Sequence, residues 1–290
     1  MTALNWCGWR DLIPIKRVRE SGPVVAVLRL DGVIGRGAGL GPALSLATAA
    51  GRIERAFSMR HAKAVALVVN SPGGSPVQSA LIAGRIRALA VEKELPVYAF
   101  AEDVAASGGY MLLAAADTLY ADPSSIVGSI GVVSSGFGFT ELISKLGVER
   151  RLHTAGDRKT LLDPFLPESD GDRERLKSIQ QELHENFKAY VRGRRQGKLK
   201  GPEDELFSGE FWTGTRAMEL GLVDDLGDIR AVLREKYGKK VKLRLVTGPR
   251  KWWRNRLRPL FPTAIDGGET WADQLVGATE RRAIWARFGL

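Results

Sequence analysis

In AEDVAASGGYMLLAAAD, the stretch from Ala101 to Asp117, one hydroxyl stands among small and apolar residues. It belongs to Ser107, which follows two alanines and precedes two glycines, with an apolar helix-like run behind them. Two roles fit this spacing. Ser107 can cap the helix by accepting from an unpaired N–H of its first turn. It can also be a nucleophile, with the same N–H groups and the positive helix end favouring a developing oxyanion. The surroundings are not the Gly-x-Ser-x-Gly elbow of α/β-hydrolases, because Ala105 takes the first glycine position.

A second turn, Asn70-Ser71-Pro72-Gly73-Gly74, follows the apolar run AVALVV. Successive glycines let backbone N–H groups point into a site with no side chain in the way, although a plain turn uses the same residues. A nucleophilic serine needs a base. His153 qualifies by type, but a lone histidine is more often structural. Lys159, in TAGDRKTLLDPF, differs in kind. An amine serves as a general base only where burial brings its pKa toward neutrality; the bland alternative is an exposed lysine beside Asp157 and Arg158. Composition does not choose between these. With one cysteine (Cys7) and three scattered histidines (His61, His153, His184), no intrachain disulfide can form and no His/Cys metal cluster is expected. The single cysteine fits a reducing compartment.

These residues need a scaffold, and the rest of the chain reads as one. The chain has 290 residues, 44% hydrophobic and 26% charged, which suits a globular protein with a full core. GPVVAVLRLDGVIG, KAVALVVNSPGG and LPVYAFAE read as buried strands. Helical segments lie between them, AGLGPALSLATAAGRIERAFSMRHA and SPVQSALIAGRIRALAVEKE. In the latter Val77, Leu81, Ile82, Ile86 and Leu89 are expected to share a buried face. DTLYADPSSIVGSIGVV gives short strands, Ser169–Arg195 a long helix with Leu176, Ile179, Leu183, Phe187 and Tyr190 at helical spacing, and TRAMELGLVDDLGD a helix and turn. Alternating strands and helices imply an α/β architecture with a mainly parallel sheet, where ligands sit at the carboxyl ends of the strands.

Taken together, NSPGG, AASGGYMLLAAAD, GSIGV, AGDRKTLLDPF and FSGEFWTGTRAMELGLVDDLG stand in the order and spacing of the signal peptide peptidase A (SppA/SohB-like) family of serine proteases. The chain resembles that family over about residues 23–238. The resemblance implies a Clp protease/crotonase-like fold and a Ser/Lys dyad. It makes Ser107 the nucleophile, Lys159 the general base and Ser129 the helper hydroxyl that orients the amine. The backbone N–H groups of Gly74 and Gly108 become the oxyanion hole. No cofactor or metal is implied. The expected substrates are peptides, either residual signal peptides or membrane-associated ones. The expected assembly is a homo-oligomer with the dyad completed between subunits. A crotonase-type acyl-CoA enzyme and a non-catalytic membrane-associated scaffold are the other readings of the same fold.

Outside the resemblance lie an N-terminal segment, 1–22, and a tail, 239–290. The net charge of +10 concentrates in the tail, which carries twelve Lys/Arg against four Asp/Glu and four of the seven tryptophans. Arginine and tryptophan together suit anionic headgroups, so a peripheral membrane contact through 248–290 is expected, set against packing of the tail on the body or on a neighbouring subunit. Nucleic-acid binding is not expected. The opening residues read as neither signal peptide nor anchor. The uncharged stretch Pro123–Thr140, rich in Ser and Gly, is expected as buried loop and strand rather than a membrane span. The expected location is cytoplasmic, or peripheral at the cytoplasmic membrane face.

Overall fold

A computed structural model of the chain describes residues 22–35, 43–156, 159–247, 279 and 282–289. The elements run in chain order β1 (Val24–Asp31), α1 (Leu46–Phe57), β2 (Ala62–Ser71), α2 (Pro76–Glu92), β3 (Val97–Ala106), α3 (Gly108–Leu113), β4 (Thr118–Ala121) and β5 (Ile126–Gly128). There follow α4 (Thr140–Lys145), α5 (Asp170–Arg194), α6 (Glu203–Leu206), β6 (Phe211–Thr213), α7 (Gly214–Glu219), β7 (Asp225–Leu226), α8 (Ile229–Tyr237) and β8 (Lys242–Leu245). The strands form one sheet in the order β6-β5-β3-β2-β1-β8, with β4 beside β3 and β7 beside β4. Every pairing is parallel except β5 with β6. The α/β architecture with a mainly parallel sheet and flanking helices is therefore present as expected.

The period-two alternation of the central strands splits the core. Leu28, Leu30, Leu67 and Val69 face one side, where α1, α2 and α3 cover them. Val25, Val27, Ala64, Ala66 and Val68 face the other, under Val232 and Leu233 of α8. Strands covered on both faces read as continuous apolar runs, which is why they were legible. In α2 the buried face is Ser79, Ile82, Ala83, Ile86, Leu89 and Ala90. Burying Ile82 and Ile86 contributes about 1.5–3 kcal/mol each. Val77 and Leu81 do not share that face; they are 62% and 45% exposed.

Helix ends carry their expected chemistry. Ser75 caps α2 by accepting from Gln78 N–H, and Pro76 takes the first helical position, where no N–H is needed. Ser169 caps α5, with Asp170 and Asp172 in its first turn and Arg192 and Arg194 in its last, each matching the local sign of the helix dipole.

Two expectations are corrected. The sheet does not stop at 238: Lys242–Leu245, in the stretch read as tail, pairs in parallel with Val24–Val27. The stretch Pro123–Thr140 is buried only around β5. Val133–Gly138 is exposed, with Phe137 81% exposed, because no strand pairs with it. At the far end of the chain, the Phe288 ring meets Phe211 of β6 edge-on at 5.1 Å, so that end rests on the body. Residues 1–21 and 248–278 lie outside the described residues. Among the described residues no helix is long and apolar enough to cross a membrane.

Candidate active site

Strand β3 continues through Ala106, so Ser107 is the residue at which strand turns into helix. Its backbone stands at φ 52°, ψ −121°, outside the regions a serine favours. Such a conformation costs on the order of 1–3 kcal/mol and persists only where the surroundings impose it. Here Ser107 N–H donates to Gly128 O at 2.8 Å, and Ser107 O accepts from Met111 N–H at 3.1 Å. The Ser107 side chain makes no capping hydrogen bond. The capping role offered by the sequence is thus not the one the structure gives it.

The turn after β2 lies against this one. A Cβ on Gly73 would stand 2.8 Å from both Gly108 N and Ser107 Cβ, so only glycine permits the approach. A Cβ on Gly108 would overlap Ser79 Oγ. Ile34 N–H donates to Gly73 O and Ser75 N–H to Ile34 O, both at 2.8 Å, fixing the peptides around Gly74. Among the described residues, neither Gly74 N–H nor Gly108 N–H has a hydrogen-bond acceptor.

Ser107, Gly74 and Gly108 line one cavity of about 360 Å³. Its walls are otherwise largely apolar: Val77 and Ala80 from α2, Met111 from α3, Val132 from the loop after β5, and Leu183, Phe187 and Tyr190 from α5. Tyr190 ties α5 to α3, the helix that follows Ser107, by donating to Met111 O at 3.0 Å. Burial pushes its phenol above the ordinary range, so it stays a donor at all physiological pH. Arg194, one turn on, donates to Ala114 O and Ala116 O at the end of α3. These wall residues escaped sequence reading as site residues, although Leu183, Phe187 and Tyr190 were visible as one helical stripe.

Ser129 follows directly after β5. The last register pair of β3 with β5 is Ala106 with Gly128, so Ser107 and Ser129 leave the sheet side by side. Ser129 also has positive φ, 53°, and its N–H donates to Glu210 O. His184 of α5 donates Nε2–H to Ile130 O at 3.1 Å and so tethers this loop. Lys159 is not brought to the cavity. It is exposed in a turn, its N–H bonded to Gly156 O, and its side chain makes no hydrogen bond or ion pair with a described residue. His153 is likewise exposed and away from the cavity lining. Among the described residues no group of three or more His, Cys, Asp or Glu could hold a metal ion.

The sequence profile of Peptidase family S49 matches residues 90–243, from the end of α2 into the start of β8. The chain belongs to peptidase family S49. A putative signal peptide peptidase SppA of Enterococcus faecium is 33% identical over 165 residues, 57% of this chain and 47% of that protein. A protein of Brucella abortus (strain 2308) named Na(+)/H(+) antiporter NhaA is 52% identical over 290 residues, 97% of this chain but 39% of that protein. The chain thus spans 39% and 47% of these relatives' lengths, less than half of each. Among solved structures, a lysine-to-alanine mutant of the 1510-N membrane-bound stomatin-specific protease with a substrate peptide aligns at TM-score 0.49 and 14% identity. That alignment covers 83% of this chain and 100% of the other. The S49 match contains Ser107, Gly108, Ser129 and Lys159; Gly74 precedes it.

Proposed function

We propose that this S49 chain is a serine endopeptidase in which Ser107 attacks the scissile carbonyl and Lys159 is the base. The observation that carries the reading is the convergence of an uncapped, strained Ser107 with the free N–H groups of Gly74 and Gly108 on one cavity wall. Neutral Lys159 takes the Ser107 proton as the Oγ–C bond forms. The oxyanion is held by the two N–H groups, each worth roughly 3–4 kcal/mol. The lysine ammonium then protonates the leaving amine as the C–N bond breaks. Water, deprotonated by the same amine, adds to the acyl carbon, and Ser107 leaves with its proton restored. Ser129, beside Ser107, orients the amine.

The apolar cavity suits a peptide with an apolar side chain before the scissile bond, in keeping with residual signal peptides or membrane-associated peptides as substrates. The exposure of Lys159 supports completion of the dyad across a homo-oligomer, in which the exposed stretch around Phe137, Leu146 and Val148 meets a neighbouring copy. We further propose that the basic, tryptophan-rich segment within 248–290 brings the enzyme to the cytoplasmic membrane face. Ion transport is not carried over from the Brucella relative, since the alignment spans a minority of that protein. The test is cleavage of a fluorogenic apolar peptide by the purified full chain. Turnover that Ser107→Ala removes, with thermal midpoint retained, supports the reading; turnover equal in both proteins rejects it.

A further inference from the structure

We propose that Ser71 is a positioning residue for the oxyanion site, holding the Gly73–Gly74 turn so that Gly74 N–H faces the attacked carbonyl. This rests on the serine-peptidase reading above. Ser71 is 0% exposed, one of few buried polar side chains among the described residues. Its hydroxyl donates to Gly32 O at 2.7 Å and accepts from Gly73 N–H at 3.2 Å. Gly32 N–H in turn donates to Asn70 O at 2.9 Å. The hydroxyl therefore ties the end of β1 to the turn after β2.

That tie sits where the chain has least stiffness of its own. The register of β2 against β3 shifts between Val69 and Ser71, so the ladder is already irregular there. Gly73 and Gly74 follow with φ of 98° and 141°, conformations that glycine enters and leaves freely. Ile34 fixes Gly73 O and Ser75 N–H, which leaves the Gly73 N–H as the remaining handle on the turn's entry. Without the Ser71 hydroxyl that N–H is buried and unpaired. A buried unpaired donor is costly, and a two-glycine turn relieves the cost by rotating its peptides. Gly74 N–H, one peptide further on, turns with them.

The prediction separates positioning from folding. Full-length wild type, Ser71→Ala and Ser71→Cys are assayed on a fluorogenic apolar peptide, with active sites titrated to completion by a fluorophosphonate. Misaiming one donor lowers kcat per titrated site on the order of tenfold, less than the 10²–10³ of deleting a donor outright. KM stays within about twofold, because the donor acts on the transition state. Inhibition by a peptide aldehyde, whose adduct carries the oxyanion, weakens by the same factor as kcat/KM. Cysteine, close in size and a weaker hydrogen-bond partner, gives the same readout if Ser71→Ala fails to fold. An unchanged kcat per titrated site, with loss confined to KM or to the number of titratable sites, overturns the positioning role. A wild type that cleaves nothing overturns the peptidase reading along with it, whereas an active wild type matched by both variants overturns this inference alone.

Discussion

Ser107 donates its backbone N–H to Gly128 O at 2.8 Å, which locks the exit of β3 to the exit of β5. One sheet edge thereby presents Ser107 and Ser129 together, with the Gly73–Gly74 turn of the neighbouring strand packed against Ser107. Strand register and glycine contacts within one chain fix Ser107 and the Gly74 and Gly108 N–H groups around one cavity. Lys159 is not fixed there.

The position of Lys159 gives the first expectation. Lys159→Ala and Lys159→Arg both lose peptide cleavage by at least about 10³-fold, the arginine because a guanidinium does not deprotonate. If the proposed sharing of the dyad holds, mixing Ser107→Ala with Lys159→Ala protein under conditions of subunit exchange should restore part of the activity, one subunit supplying the serine and its neighbour the lysine. No recovery in exchanging oligomers contradicts completion of the dyad between subunits.

Filling the cavity should change selectivity. Ala80 is on its wall, so Ala80→Phe removes space from the side-chain site. The ratio of kcat/KM for a peptide with leucine before the scissile bond to one with alanine should fall by roughly tenfold, within the range that a few methylene groups command. Paired hydrolysis assays on the two peptides measure it, and an unchanged ratio places the substrate side chain elsewhere.

Acid stability should depend on Asp224. Burial alone would raise its carboxyl, but hydrogen bonds from Arg195, Lys198 and Leu119 N–H outweigh burial and hold it below the usual range. A carboxylate depressed in the folded state contributes stability above its unfolded pKa, and that stability is lost as pH falls through the folded value. Asp224→Ala should therefore lower stability by about 3 kcal/mol at pH 7, since it strips the carboxylate from the fully buried Arg195, and flatten the acid limb below about pH 4. Urea unfolding at several pH values checks both; an acid limb that stays as steep in the variant as in wild type contradicts the assignment.

Membrane approach through the tail has a direct measurement. The full chain should sediment with anionic lipid vesicles, and the 1–247 truncation, which keeps β8, should stay in the supernatant. Salt should weaken the effect, because exposed charges are screened. Equal sedimentation of the two proteins contradicts the membrane role.

Much of this was legible in sequence because strands covered on both faces are continuous apolar runs, and parallel strands end at one edge. AVALVV before Gly74 and PVYAF before Ser107 put both turns on that edge. Other features were set by distant partners. Lys242–Leu245 alternates charged and apolar residues like a strand, but its Lys and Arg made it look like tail; its partner is β1, some 200 residues earlier. Val77 stands five residues before Ile82, about 140° round the helix from it, so it lies off the buried face and lines the cavity instead. The Ser71 hydroxyl lay inside a recognised motif, but its bond to Gly32 depends on how two strand ends meet. The cavity wall on α5 needed the tertiary packing of Tyr190 on Met111 to appear.

The central claim is that Ser107 is the nucleophile. Its most direct measurement is labelling of the full chain with a fluorophosphonate, followed by digestion and mass mapping of the adduct. The adduct should fall on Ser107, and both Ser107→Ala and Lys159→Ala should abolish it. An adduct on another serine, or labelling that survives Ser107→Ala, contradicts the account.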